Sequence, residues 1–144
     1  MRATVAPTGV SYAKPLPDMT PESRPFWEGC RRHELLIQRG RACGALQHDP
    51  RGVCAACWKS DLDWRPSGGR GTVYTFTIVR RSQAPGFKDA LPYVLAYVEL
   101  TEGVQVLTTL VDVDPARVAV GMPVEVVFED VTAEVALPRF RPIG

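Results

Sequence analysis

Three of the four cysteines, Cys43, Cys54 and Cys57, crowd into fifteen residues. Thiolates are soft ligands, and a Cys-x-x-Cys turn such as Cys54–Cys57 places two of them on one tight knuckle, the way tetrahedral zinc sites are built. Cys43 offers a third thiolate from the turn Gly40-Arg41-Ala42-Cys43-Gly44. The position that would complete this first knuckle is Gly40, which has no ligand to give. Three readings stand side by side. A metal ion binds through Cys43, Cys54 and Cys57, with His48, Asp49 or water as fourth ligand. Alternatively the ribbon holds without metal, by packing around Trp58 and Leu62. Or the three cysteines are ordinary small buried residues. Cys30 lies apart from them and reads as a buried helix thiol. In a reducing compartment such a cluster points to metal more than to a disulfide framework.

A second group of residues suits anions and rings. Arg80 and Arg81 sit where a strand runs into the loop Pro85-Gly86-Phe87, and Tyr93 follows soon after. Guanidinium groups pair with phosphates and aromatic rings stack on bases. Arg80, Arg81, Phe87 and Tyr93 are therefore candidate substrate-binding residues, for the adenosine diphosphate end of coenzyme A or for a single-stranded nucleic acid. A solvated strand end with a phenylalanine over its loop is the plain structural alternative. Acid–base machinery is scarce. The chain has two histidines: His33 falls near a helix end and His48 inside the cysteine region, and both read as structural or solvated. No Gly-x-Ser-x-Gly elbow occurs. The run Gly68-Gly69-Arg70-Gly71 precedes a strand and lacks the Lys-Ser/Thr of a phosphate-binding loop. No catalytic set is expected in this chain by itself.

The elements that must position these residues follow from periodicity. Residues 1–20, with Pro7, Pro15 and Pro17, read as an extended arm. A helix starts near Arg24 or Pro25, since proline fits a first helical position, and ends near His33. Leu35–Gln38 reads as a short strand, and Ser67-Gly68-Gly69 as a hinge. From Thr72 onward the period changes to two: Tyr74, Phe76 and Ile78 alternate with Thr75, Thr77 and Val79. Tyr93–Leu100 and Val104–Val111 form a hairpin about Thr101-Glu102-Gly103. Asp114-Pro115 opens a helical turn, Val124–Glu129 is a strand, and Ala136–Arg141 is the last extended piece. The expected class is mainly β: an N-terminal helix and zinc-ribbon-like knuckle, then a five-stranded OB-fold β-barrel. The expected domains are an arm at 1–20, a helix-plus-ribbon unit at 21–66 and a barrel at 67–144.

Composition sets limits. A formal net charge of +1 over 144 residues gives no general attraction to polyanions or anionic membranes. An aromatic content of 8% lends little to a nucleic-acid-binding barrel face, the alternative function. No long apolar span and no signal-like N-terminus is evident, so a cytoplasmic location is expected.

The order of motifs is recognisable. Arg24-Pro25-Phe26-Trp27-Glu28-Gly29 leads into Leu35–Gln38 and the cysteine turns. Gly69–Thr77, Leu91-Pro92-Tyr93-Val94-Leu95-Ala96, Val120–Val126 and Phe128-Glu129-Asp130 follow. Together they resemble the OB-fold proteins with an N-terminal rubredoxin-like zinc ribbon, domain-of-unknown-function family thirty-five. The resemblance implies acyl-CoA association, with a partner subunit holding the catalytic residues. That partner would be a thiolase-fold enzyme (thiolase, acyltransferase or retro-aldolase) or a hydratase of steroid side-chain breakdown. It implies a hetero-oligomer, places zinc at Cys43, Cys54 and Cys57, and makes Gly40 the missing first ligand.

Overall fold

The computed structural model describes residues 4–5 and 13–143. The elements run β1 (Thr4–Val5), α1 (Arg24–Arg31), β2 (Leu36–Gly40), β3 (Leu46–Gln47), β4 (Leu62–Pro66), β5 (Arg70–Val79), β6 (Tyr93–Leu100), β7 (Gln105–Leu110), β8 (Pro123–Asp130) and β9 (Ala136–Pro142). Half of the expected arm lies outside the described residues, its described parts being β1 and residues 13–20, the latter holding neither helix nor strand.

Helix α1 begins where Pro25 sits in its first turn, the position in which a missing N–H leaves nothing unsatisfied. It buries Phe26, Gly29 and Cys30 on one face. Its end is a Schellman motif: Glu34 N–H donates to the Gly29 carbonyl (2.8 Å) and His33 N–H to that of Cys30 (2.9 Å). His33 takes the left-handed position (φ 61°) that glycine usually fills. Its ring stacks on Phe128 with centroids 5.2 Å apart, and its Nε2 meets Asp130 Oδ1 at 2.8 Å. A residue beyond the helix end thus ties the N-terminal lobe to β8.

The small lobe is a three-stranded antiparallel sheet in the order β3-β2-β4. β4 is an element that the sequence expectations above omit, although Leu62 and Trp64 alternate with Asp61, Asp63 and Arg65 at a strand period. Here Leu62–Pro66 lies along the whole of β2, Gln38 opposite Trp64.

The large lobe is the expected barrel. Strands follow the order β1-β8-β5-β6-β7-β9, and a further β8–β9 pairing closes the ring through β5, β6, β7, β9 and β8. Alternation is cleanest in β6, where Val94, Ala96, Val98 and Leu100 point inward and Tyr97 and Glu99 outward. β5 departs from the simple period. A bulge between Val73 and Thr75 makes Val73 the buried residue and leaves Tyr74 exposed, so Tyr74 does not share a face with Phe76 and Ile78 as the pattern predicts. One extra residue in a strand reverses the sidedness on its far side.

The apolar core is continuous between lobes: Phe26, Cys30, Leu35 and Ile37 pack in one cluster with Val73, Val98, Phe128 and Phe140. Each such ring or aliphatic side chain, fully buried, contributes about 1.5–3 kcal/mol. The expected hinge at Ser67–Gly69 is tied down. Glu102, on the β6–β7 turn, accepts from Ser67 Oγ (3.0 Å) and Gly68 N–H (2.8 Å), and Ser67 N–H donates to the Leu35 carbonyl (2.7 Å). Among the described residues no helix is long and apolar enough to cross a membrane.

Candidate functional site: a three-thiol knuckle and the clefts of the barrel

The two cysteine turns are built alike. In the first, Gly40 N–H donates to the Ala45 carbonyl (2.9 Å) and Gly44 N–H to that of Gly40 (2.7 Å). In the second, Cys54 N–H donates to the Lys59 carbonyl (2.8 Å) and Trp58 N–H to that of Cys54 (2.9 Å). Position by position, Gly40 corresponds to Cys54, Cys43 to Cys57, and Gly44 to Trp58. The first knuckle therefore repeats the backbone of the second, with glycine where the second has its leading cysteine.

The fold gathers Cys43, Cys54 and Cys57 so that their sulfurs all lie within 4.8 Å of one another, Cys43 and Cys54 at 3.5 Å. These three thiols suit three corners of a thiophilic cation's tetrahedron. Gly40 stands against the cluster. A Cβ built on Gly40 would stand 2.8 Å from Cys54 Sγ and 3.2 Å from Cys43 Sγ, so the space of the missing side chain is already closed upon by thiols. The Cys54 thiol is lowered to about 7, chiefly because the backbone amides of Cys57 and Ala56 hydrogen-bond its sulfur. The amide of Ala45 pulls the Cys43 thiol down, but the neighbouring Cys54 and Cys57 outweigh it and leave Cys43 raised. Cys30 lies elsewhere, fully buried in α1, where burial pushes it up to about 12.

His48 and Asp49, weighed as fourth ligands, do not join the cluster among the described residues. His48 packs against the Phe26 ring (5.1 Å) and lines a groove of about 570 Å³ between the lobes, with Trp27, Leu107 and Arg139. Burial lowers its pKa, against a smaller raising effect of Asp49, and so favours the neutral ring. Trp58, expected to help pack the ribbon, is instead 81% exposed. The ribbon interior is polar in its place. Buried Gln38 accepts from Gln47 Nε2 and Arg51 N–H (both 2.8 Å) and donates to the Arg51 carbonyl (2.9 Å). On the opposite edge Arg39 grips Asp63 through Nε (3.2 Å) and Nη2 (2.9 Å). That hydrogen bond holds the Asp63 carboxyl below its ordinary value.

The four candidate substrate-binding residues fall on two sides of one loop. Arg80 and Arg81 line a depression of about 520 Å³ with Ser82, Gln83, Lys88 and Leu91. Neither arginine nor Lys88 has an acidic partner among the described residues. Lys88 escaped sequence reasoning because the loop that carries it has no period. Phe87 and Tyr93 face each other at 5.8 Å in a different cleft, of about 580 Å³, together with Lys14, Leu16, Val94, Leu110 and Arg139. Lys14 Nζ lies 5.2 Å above the Phe87 ring. The fold thus keeps the candidate cations apart from the candidate rings.

A family model described as the rubredoxin-like zinc ribbon domain of ChsH2 matches residues 27–63, and one described as the C-terminal OB-fold domain of ChsH2 matches residues 64–129. The solved chain of an "Ltp2-ChsH2(DUF35) aldolase" superposes with a TM-score of 0.81 at 35% identity, over 88% of this chain and 98% of that one. The chain belongs to the DUF35 family. A "DUF35 domain-containing scaffold protein" of Methanothermobacter thermautotrophicus is 33% identical over 72% of this chain and 78% of its own length. A "Probable enoyl-CoA hydratase alpha subunit" of Thermomonospora curvata is 36% identical over 90% of this chain. This chain spans 40% of the length of that hydratase subunit.

Proposed function

We propose that this DUF35 chain is a non-catalytic, acyl-CoA-binding accessory subunit of an enzyme that acts on CoA thioesters, of thiolase fold or a hydratase. The observation that carries the reading is its near-complete superposition on the DUF35 chain of an aldolase. The likeness to part of a hydratase alpha subunit and to a scaffold protein supports the same role. The cytoplasm, where CoA thioesters are processed, is the proposed location, and the proposed division remains arm 1–20, ribbon 21–66 and barrel 67–144.

Unpaired Arg80 and Arg81, joined by Lys88, supply the charge for the phosphates of CoA. Phe87 and Tyr93, across the same loop, offer an apolar wall for the chain beyond them. Zinc in the ribbon would be held by Cys43, Cys54 and Cys57 with water as fourth ligand, and would cross-link the two knuckles.

Affinity purification from the native host is the test, with the associated proteins identified by mass and assayed for CoA-thioester cleavage or hydration with and without this chain. Recovery of such an enzyme, with activity raised by the chain, is expected. An enzyme indifferent to the chain would sink the reading.

A further inference from the structure

Among the described residues three non-glycine residues have left-handed backbone: His33, Trp58 and Asp112. Two have evident reasons. His33 stacks on Phe128 and bonds Asp130, and aspartate tolerates this region better than most residues. Trp58 has neither excuse. It occupies, at φ 68°, the position filled in the first knuckle by Gly44, at φ 77°, within the same pair of backbone hydrogen bonds. Glycine is the unstrained residue for such a turn, and a large side chain strains it. Strain is tolerated in cores when packing rewards it, yet this indole is 81% exposed. An indole this exposed buries little apolar area to offset the strained backbone within its own chain.

The surroundings describe what would cover it. Val53, on the same turn, is also exposed. Arg51 and Lys59 flank the knuckle in the chain, both exposed and without an acidic partner among the described residues. Farther along the ribbon, Arg39, Arg41 and Arg65 are matched by Asp61 and Asp63. Cations without an acidic partner among the described residues therefore lie in the chain on either side of the indole, while those of the sheet edge are ion-paired. Rigid aromatic side chains entering a pocket, ringed by complementary charge, are the usual anchors of protein interfaces.

We infer that Trp58 is a docking anchor that enters an apolar slot with an acidic rim on the catalytic subunit. This rests on the accessory-subunit reading, and it names a contact surface on the ribbon, whereas the loop assigned to CoA belongs to the barrel. The knuckle's rigidity, from its paired backbone hydrogen bonds, presents the indole already ordered, which lowers the entropy lost on association.

The test compares the full chain with its Trp58→Asn variant, since asparagine accepts left-handed backbone without an indole. Binding to the CoA-thioester enzyme recovered with the wild-type chain is measured by calorimetry, and thermal unfolding is measured on the same samples. The variant should bind at least about tenfold more weakly, with its melting midpoint held or raised. In the double variant Arg51→Glu/Lys59→Glu, association should slow at low salt. Wild-type affinity in Trp58→Asn, or a midpoint lowered by more than about 4 °C, overturns the anchor and leaves the accessory reading standing. An association rate unchanged by the charge reversal overturns the acidic rim. If the wild-type chain recovers no such enzyme, the accessory reading falls and the anchor with it.

Discussion

The ribbon and the barrel reach order by opposite means. The barrel closes on apolar side chains, with Val98, Phe128 and Phe140 wholly removed from solvent, and its ion pairs (Glu125–Arg141, Glu129–Arg139) lie across the β8–β9 surface. The ribbon, too small to enclose a core of its own, lends Leu35 and Ile37 to the shared one and adds a buried glutamine, an arginine–aspartate fork and three gathered thiols. Burial of apolar area is indifferent to pH and to metal. Polar and thiol contacts respond to both. Sensitivity to conditions should therefore concentrate in the ribbon, and bulk stability in the barrel.

The strongest break of this contrast is Phe140→Ala, which empties a fully buried site and should cost about 3–5 kcal/mol in denaturant unfolding. A comparable deletion in the ribbon, Gln38→Ala, removes the side-chain partner of both the Arg51 N–H and the Arg51 carbonyl and should cost about 1–3 kcal/mol. If the second exceeds the first, the polar lobe is the one that holds the protein. Next comes Gly40. Cysteine there supplies a fourth sulfur but must displace Cys54 Sγ, 2.8 Å from the new Cβ. Zinc competition with a chromogenic chelator should find Gly40→Cys holding the ion more tightly than wild type, while chelation quickens amide exchange in the ribbon and leaves β6 protected.

The pH response sharpens the comparison further. His48 is depressed below its ordinary 6.5 by burial. As pH falls below that value the unfolded chain takes up a proton that the folded chain refuses, so stability should decline toward acid. Asp63 is also depressed, chiefly by its hydrogen bond from Arg39; its contribution is present above the ordinary carboxylate range and lost as pH falls through the folded value. Unfolding curves between pH 7 and 4 should flatten in His48→Gln. The smallest effect on stability belongs to Arg80→Ala and Arg81→Ala, within about 0.5 kcal/mol. In these variants CoA affinity should drop while the melting midpoint stays. A shifted midpoint with unchanged CoA binding would reverse that assignment.

What could be read in advance follows the same division. β6 lies where its alternation places it, Tyr93–Leu100, and α1 starts beside the proline that marks it, because apolar period and backbone restriction are local properties. The cysteine spacing likewise located the thiol cluster. The bulge that turns Tyr74 outward leaves no trace in residue types. Trp58 reads as core by composition alone, and only the equivalence of the two knuckle turns reveals its exposed, strained place. The separation of Arg80 and Arg81 from Phe87 and Tyr93 depends on how the intervening loop folds, and Glu102's grip on Ser67 and Gly68 depends on a contact across 34 or more residues. Long-range partners of this kind are not encoded in neighbours.

β8 is accompanied by β9 along its whole length on one flank, but on the other β5 stays with it only from Pro123 to Glu125. The backbone beyond is met by Thr4 and Val5, running parallel to Phe128 and Glu129. Those two residues act as a plug at a seam. Proteolytic trimming ahead of Pro7 would bare the unsatisfied amides and carbonyls of that margin, an invitation to strand exchange or self-assembly.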